Sequence, residues 1–289
     1  MVAVLAVLAM VVAAAGVSYL ALGGGGGTTT VPGSGRDSST PPGSGRDASA
    51  AGTMTVPVYY LGAVDGTPTG RLALFREFHR VTGTDPVVAA VSLMLTGRPD
   101  DPDYATRWPA GTRLLDVTRR GSTAQVDLSA DAATGSPEAR VAALSVAQLV
   151  YTVTGADPTV RNVALRIDGQ VVPRLWGQVP TAEPLSRAPR IDVEAPIWLV
   201  SPPEGARVPD PVTVSGIASV YEAHVSWQVL AGGSVVRSGY VTAAEAGPAR
   251  APWSVTISLP SGSYQVRVFA ASAEDGSVIA ADSKNITVR

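Results

Sequence analysis

The sequence predicts three parts in series: an N-terminal transmembrane helix, an α+β (α/β) region with a mixed sheet and two helices, and an all-β sandwich. Three observations predict this. A run of 21 uncharged residues follows Met1, strand-like and helix-like apolar periods alternate over residues 53–178, and only strand-like runs occur over residues 195–289. The 289 residues leave room for about two folded domains.

Residues 2–22 (VAVLAVLAMVVAAAGVSYLAL) would span ~31 Å as a helix, enough for a ~30 Å hydrocarbon core. Their apolar stretch is longer than a signal-peptide core and lacks a basic start. A retained single-pass anchor is expected, with signal cleavage near residues 13–15 and secretion as the alternative. Residues 23–52 open with five glycines and repeat PGSGRDSS as PGSGRDAS. Such a tract cannot bury a core, so a disordered Gly/Ser/Pro linker is expected.

In residues 53–178, 56–61 (VPVYYL) and 72–81 (LALFREFHRV) read as strands, the second facing inward through Leu72, Leu74 and Phe78. Asp85-Pro86 caps a helix carrying Val88, Val91, Met94 and Leu95, and Gly97 ends it. Strands at 114–117 and 124–128 flank the Arg120-Gly121 turn. Ser136-Pro137-Glu138 starts a second helix with Val141, Leu144, Leu149 and Val153, ended by Gly155. A strand at 160–167 enters an Asp168-Gly169 hairpin that leads to Val171-Val172. After a connector at 179–194, seven strands are expected: 197–200, 212–218, 223–230, 235–241, 253–259, 264–271 and 278–288. Val225, Trp227 and Val229 point one way from their strand, and His224, Ser226 and Gln228 the other. A tryptophan on the third inward strand suits an immunoglobulin-like sandwich without its disulfide.

The first region resembles the GerMN domain of sporulation and spore germination proteins. The resemblance rests on Val58-Tyr59-Tyr60-Leu61, Asp85-Pro86 with Leu95, and Pro109-x-Gly111-Thr112 before Leu114-Leu115. Val126-Asp127-Leu128-Ser129 and Ile167-Asp168-Gly169 complete it. It implies an extracytoplasmic domain of a membrane-tethered protein without established catalytic residues, and self-association through likeness to ring-building domains. The second region resembles the immunoglobulin-like domain of bacterial spore germination proteins. It does so through Pro202-Pro203, Gly205, Pro211, Val214-x-Gly216-x-Ala218, Trp253-Ser254 and residues 272–277 (SAEDGS). Tyr221-Glu222-Ala223 stands where that family usually has Phe-Glu-Gly, which puts a tight turn there in doubt.

Composition narrows the chemistry. With 22 basic and 24 acidic side chains and no basic patch, a nucleic-acid partner is not expected. The absence of cysteine removes disulfides, thiol nucleophiles and thiolate metal sites. Lysine occurs once, at Lys284, so neither a P-loop nor a Ser-x-x-Lys motif exists. The two histidines, His79 and His224, fall in different regions; His79 reads as a half-exposed strand residue and His224 as part of a polar strand face. Trp227 and Trp253 read as core, while Trp108 and Trp198 could pack or form a stacking surface. No catalytic residue, cofactor or metal is expected, and the chain is read as non-enzymatic.

One acidic knot remains. Residues 97–103 (GRPDDPD) follow the first helix, and their acids do not fit a calcium loop: counted from Asp101, Thr106 replaces its glycine and Thr112 its last acid. A solvated loop balanced by Arg98 and Arg107 is expected. Asp100, Asp101, Asp103, Arg107 and Trp108 form the candidate contact surface. The expected function is binding or assembly in the cell envelope, with protein partners or copies of itself. A peptidoglycan- or polysaccharide-binding module and a wall hydrolase are the alternatives.

Overall fold

A long antiparallel ribbon opens the folded chain: β1 (Gly52–Ala63) and β2 (Leu72–Gly83) pair along all 12 residues. The structure is a computed structural model and describes residues 52–67, 70–272 and 274–289. The expected transmembrane helix at 2–22 and nearly all of the linker lie outside the described residues. Among the described residues, no helix is long and apolar enough to cross a membrane.

After the ribbon come α1 (Pro86–Thr96), β3 (Tyr104–Ala105), β4 (Leu114–Arg120) and β5 (Thr123–Leu128). Then follow α2 (Ala139–Ala156), β6 (Asn162–Ile167), β7 (Arg174–Leu175), β8 (Val179–Pro180), β9 (Leu185–Ser186) and the short α3 (Arg190–Val193). The single mixed sheet expected here is divided. β2-β1-β3 is one sheet, β4-β5-β6-β9 is a second and β7-β8 a small ladder. The second sheet is mixed, since β5 and β6 run parallel across α2 and the other pairs are antiparallel. The division follows from the ribbon, which is buried on both faces over Tyr59, Tyr60 and Leu61. One face joins Phe75, Val91, Met94 and Leu128 in the main core, and the other meets Leu144 and Tyr151 of α2. β3 covers β1 only at Leu61 and Gly62. At Tyr59 the free backbone groups are taken by α2: Thr152 Oγ1 accepts from Tyr59 N at 3.1 Å, and Gln148 Nε2 donates to Tyr59 O at 2.8 Å.

Several elements differ in detail from the sequence reading. α1 buries Val87, Ala90, Val91 and Met94, while Val88 is exposed, so its inner face is rotated by a residue. Gly155 lies inside α2, where a methyl group would come within 3.2 Å of the Pro57 ring, so close packing explains the glycine. Asp168 and Gly169 make the expected turn with φ of 52° and 77°. No strand continues from it: past the turn Gln170 makes an isolated bridge back to Ile167, and Val171 is exposed.

The remaining chain forms β10 (Ile197–Ser201), β11 (Ala206–Val208), β12 (Val212–Ala218), β13 (His224–Ala231), β14 (Ser234–Thr242), β15 (Ala251–Ile257), β16 (Gly262–Ala271) and β17 (Val278–Val288). These make two sheets, β10-β12-β15 and β11-β17-β16-β13-β14. Val214, Trp253 and Ile257 of the first share a core with Val225, Val229, Val268 and Ile286 of the second. This is the expected immunoglobulin-like sandwich, with the short β11 added. Gly216 faces Trp253 across the ladder, and a methyl group there would meet Trp198 O at 2.1 Å and the Trp253 ring at 2.5 Å. That close approach gives Val214-x-Gly216-x-Ala218 its physical basis.

Candidate functional site

The charged groups of greatest interest start on the wrong side of a strand. β2 alternates, so Phe75, Glu77 and His79 share one face, opposite Tyr60, Val58 and Val56 of β1. That face is buried as far as His79, while the opposite one opens to solvent at Phe78. Glu77 and His79 are each about 9% exposed, whereas Phe78, expected inside, is 49% exposed. The correction has a physical cause: the buried acid and base satisfy each other. His79 Nε2 lies 2.9 Å from Glu77 Oε2, and the two Glu77 oxygens accept from Asp100 N at 2.9 Å and Asp101 N at 2.8 Å. His79 Nδ1 faces Asp100 Oδ2 at 3.6 Å.

Burial alone would lift Glu77, yet His79 and the two backbone N–H groups hold it below the usual carboxylate range. Burial alone would depress His79, and Glu77 and Asp100 together raise it. Three groups that could ligate a metal, Glu77, His79 and Asp100, therefore converge here.

The acidic knot is solvated except at Asp101, which is an internal contact. Asp101 is 1% exposed, and its carboxylate receives the Lys284 ammonium of β17, from the other region. Arg98 and Arg107, the expected partners, join no ion pair among the described residues. Lys284 Nζ also donates to Tyr104 Oη at 3.0 Å, and that hydroxyl donates to Asp282 Oδ1 at 2.9 Å. Asp282 Oδ2 accepts from Leu199 N at 2.6 Å. Burial pushes Asp101 up to about 6 against the pull of Lys284, and it also raises Asp282. The same two carboxylates outweigh the burial of Lys284 and keep its ammonium charged. Gly62 lets Tyr104 lie stacked on Phe75, 4.7 Å between ring centres, because a methyl group there would meet both rings at 2.9 Å.

Other contacts extend the seam. Ala281 N donates to Val64 O at 2.6 Å and Ala195 N to Leu74 O at 2.9 Å. Arg250 Nε faces Glu194 Oε2 at 3.0 Å as a charge contact, donates through Nη2 to Ala195 O and lies over the Trp198 ring. Beside the seam opens a cleft of about 620 Å3, lined by Phe75, Asp103 and Arg107 from one region and Gln265, Arg267 and Ser283 from the other. A second hollow of about 430 Å3, near Gly232 and Tyr264, has no charged side chain in its lining.

The candidate contact residues therefore separate. Asp103 and Arg107 are exposed at the cleft, the Asp100 carboxylate is 55% exposed beside His79, and Asp101 is an internal contact. Trp108 is removed from the surface: it is 5% exposed, packs on Trp176 and donates from Nε1 to Ser145 O at 3.1 Å. Trp198 is 3% exposed, so neither tryptophan offers a stacking platform. Sequence reasoning missed Glu77, Tyr104, Asp282 and Lys284. The available signal was a sole lysine in phase with the apolar positions Ile286 and Val288 along β17.

Comparison with known proteins agrees with this architecture. Residues 57–173 match the family described as sporulation and spore germination, and residues 196–277 match the immunoglobulin-like domain of bacterial spore germination. Among solved structures, the tandem GerMN domains of the sporulation protein GerM from Bacillus subtilis are 20% identical, with TM-score 0.39, covering 50% of this chain and 49% of that one. The chain thus spans about half the length of that structure. The first GerMN domain of the same protein is 19% identical over 46% of this chain and 98% of its own, with TM-score 0.38. A putative lipoprotein from Clostridium perfringens is 17% identical over 49% and 91%, with TM-score 0.33. At these scores the three are likenesses only. No curated protein matches the chain. The chain thus carries a sporulation and spore germination domain followed by an immunoglobulin-like domain of bacterial spore germination.

Proposed function

We propose that this is a non-enzymatic, membrane-anchored envelope protein whose folded part lies outside the cytoplasm and acts by binding or assembly. Residues 2–22 anchor it, and residues 23–52 hold the folded part away from the bilayer. The observation that carries the reading is the cleft between the two regions. Arg107 and Arg267 both line it, and among the described residues neither pairs with a carboxylate. Such guanidinium groups suit a carboxylate-bearing partner segment. His79 meets carboxylates and His224 stacks on Tyr240, which does not compose a nucleophile–base pair.

Photo-crosslinking in intact cells tests this, with the reactive side chain placed at Gln265 on the cleft wall. The expected result is a discrete adduct with a protein partner or a second copy, weakened when Arg107 and Arg267 are both changed to Ala. Monomer alone would overturn the proposal. Adducts with wall polymer would move it to the wall-binding reading.

A further inference from the structure

We propose that Glu77, His79 and Asp100 form a binding site for one divalent cation of the borderline first-row type, represented by Zn2+. The inference is independent of the cleft and of the partner proposed for it. One ligand atom from each residue lies within 4.8 Å of the other two, within the compass of a single ion. Glu77 and His79 come from the inward face of β2, and Asp100 from the loop after α1, so two separate segments converge.

The Asp100 side of the cluster is spaced for an ion and not for a hydrogen bond. His79 Nδ1 and Asp100 Oδ2 are 3.6 Å apart, too far for a good hydrogen bond. Two ligands each ~2.1 Å from a tetrahedral metal stand ~3.4 Å apart, close to that separation. The other ring nitrogen lies 2.9 Å from Glu77 Oε2, so each nitrogen faces a carboxylate. Nδ1, beside Asp100, is the nitrogen that binds, and Glu77 on Nε2 then fixes the ring, as acids commonly do for metal-bound imidazole.

A second observation points to a missing occupant. Tyr60 is fully buried, and its hydroxyl has no hydrogen-bond partner. It stands on the same face of the ribbon as Glu77 and His79, its ring is edge-on to His79 at 6.1 Å, and the charges of Glu77 and Asp100 act on it. A water carried by the cation would give this hydroxyl its partner. The direct protein donors are the His79 imidazole and the Asp100 carboxylate, with Glu77 behind the ring, water completing the shell and no sulfur. Imidazole favours Zn2+ over Mg2+ or Ca2+, which prefer sites made wholly of oxygen. The Asp100 carboxylate, 55% exposed, provides the way in.

The test is calorimetric titration of the full chain in detergent with ZnCl2 and, separately, CaCl2, alongside the visible spectrum of the Co2+ form. One Zn2+ per chain is expected, with weaker Ca2+ binding and Co2+ bands typical of a nitrogen–oxygen site. Asp100→Asn keeps the backbone N–H that Glu77 accepts and alters an exposed side chain, so it should fold normally and bind Zn2+ at least about tenfold more weakly. His79→Gln should do the same, and His224→Gln should change nothing. Saturating Zn2+ should raise Tm by about 5 °C. Absence of stoichiometric Zn2+ binding up to about 1 mM would overturn the proposal. So would unchanged affinity in Asp100→Asn, or Ca2+ binding tighter than Zn2+.

Discussion

Ala223 shows how a single residue can be read correctly for type and still conceal its cost. It occupies the position where related domains usually have glycine, and its φ of 57° is left-handed, next to Glu222 at 53°. A β-carbon in that region costs roughly 1–2 kcal/mol relative to glycine. The tight turn that the substitution put in doubt forms regardless, held by Ala223 N donating to Val220 O and Ala243 N donating to Ala223 O. Ala223→Gly should therefore stabilise the chain by about 1 kcal/mol in urea denaturation. A loss of stability would mean that packing of the buried methyl outweighs the backbone term.

At the scale of elements, local signals were legible wherever the cause was local. Asp85-Pro86 announces α1, and the structure shows why: Asp85 Oδ1 accepts from Val87 N at 2.8 Å and Val88 N at 3.2 Å, and Gly97 closes the helix at φ 62°. The partner that completes the cap was not legible. Arg119 on β4 forks onto Asp85 at 2.7 and 2.8 Å and reaches Asp157, at the end of α2, at 2.9 Å. On β2 the expected inward residues Leu72 and Leu74 do pack inside, and only Phe78 does not, for a related reason. Apolarity chose Leu72, Leu74 and Phe78, but a distant loop supplies the donors that let Glu77 sit inside. Asp85→Ala should cost about 1–2 kcal/mol, and Asp85→Asn less, because the amide oxygen still caps. The pH dependence has a definite sign. Arg119 first, then the helix N–H groups, lower Asp85, so its contribution is full above the unfolded carboxylate value of ~4 and disappears as pH falls through the lower folded value. Acid titration of stability should be shallower in Asp85→Asn than in the parent, and equal slopes would contradict this.

Across the whole molecule the two regions are joined by buried charge as well as by chain. Lys284 and Asp101 stand 183 positions apart, and no pattern along either strand or loop could have paired them. Removing the ammonium alone leaves two buried carboxylates uncompensated, at a cost of about 3–5 kcal/mol. Lys284→Met should therefore lower stability by that amount and broaden or split a single thermal transition. Adding Asp101→Asn should recover part of the loss. An unchanged single transition in Lys284→Met would show that apolar contact and backbone bonds suffice to couple the regions. The same geometry gives the molecule a built-in reporter. Its only lysine is 4% exposed, so an amine-acylating reagent finds no accessible side chain in the closed seam. Acylation at residue 284 then requires the seam to part, and its rate, followed by mass spectrometry, counts how often the two regions separate.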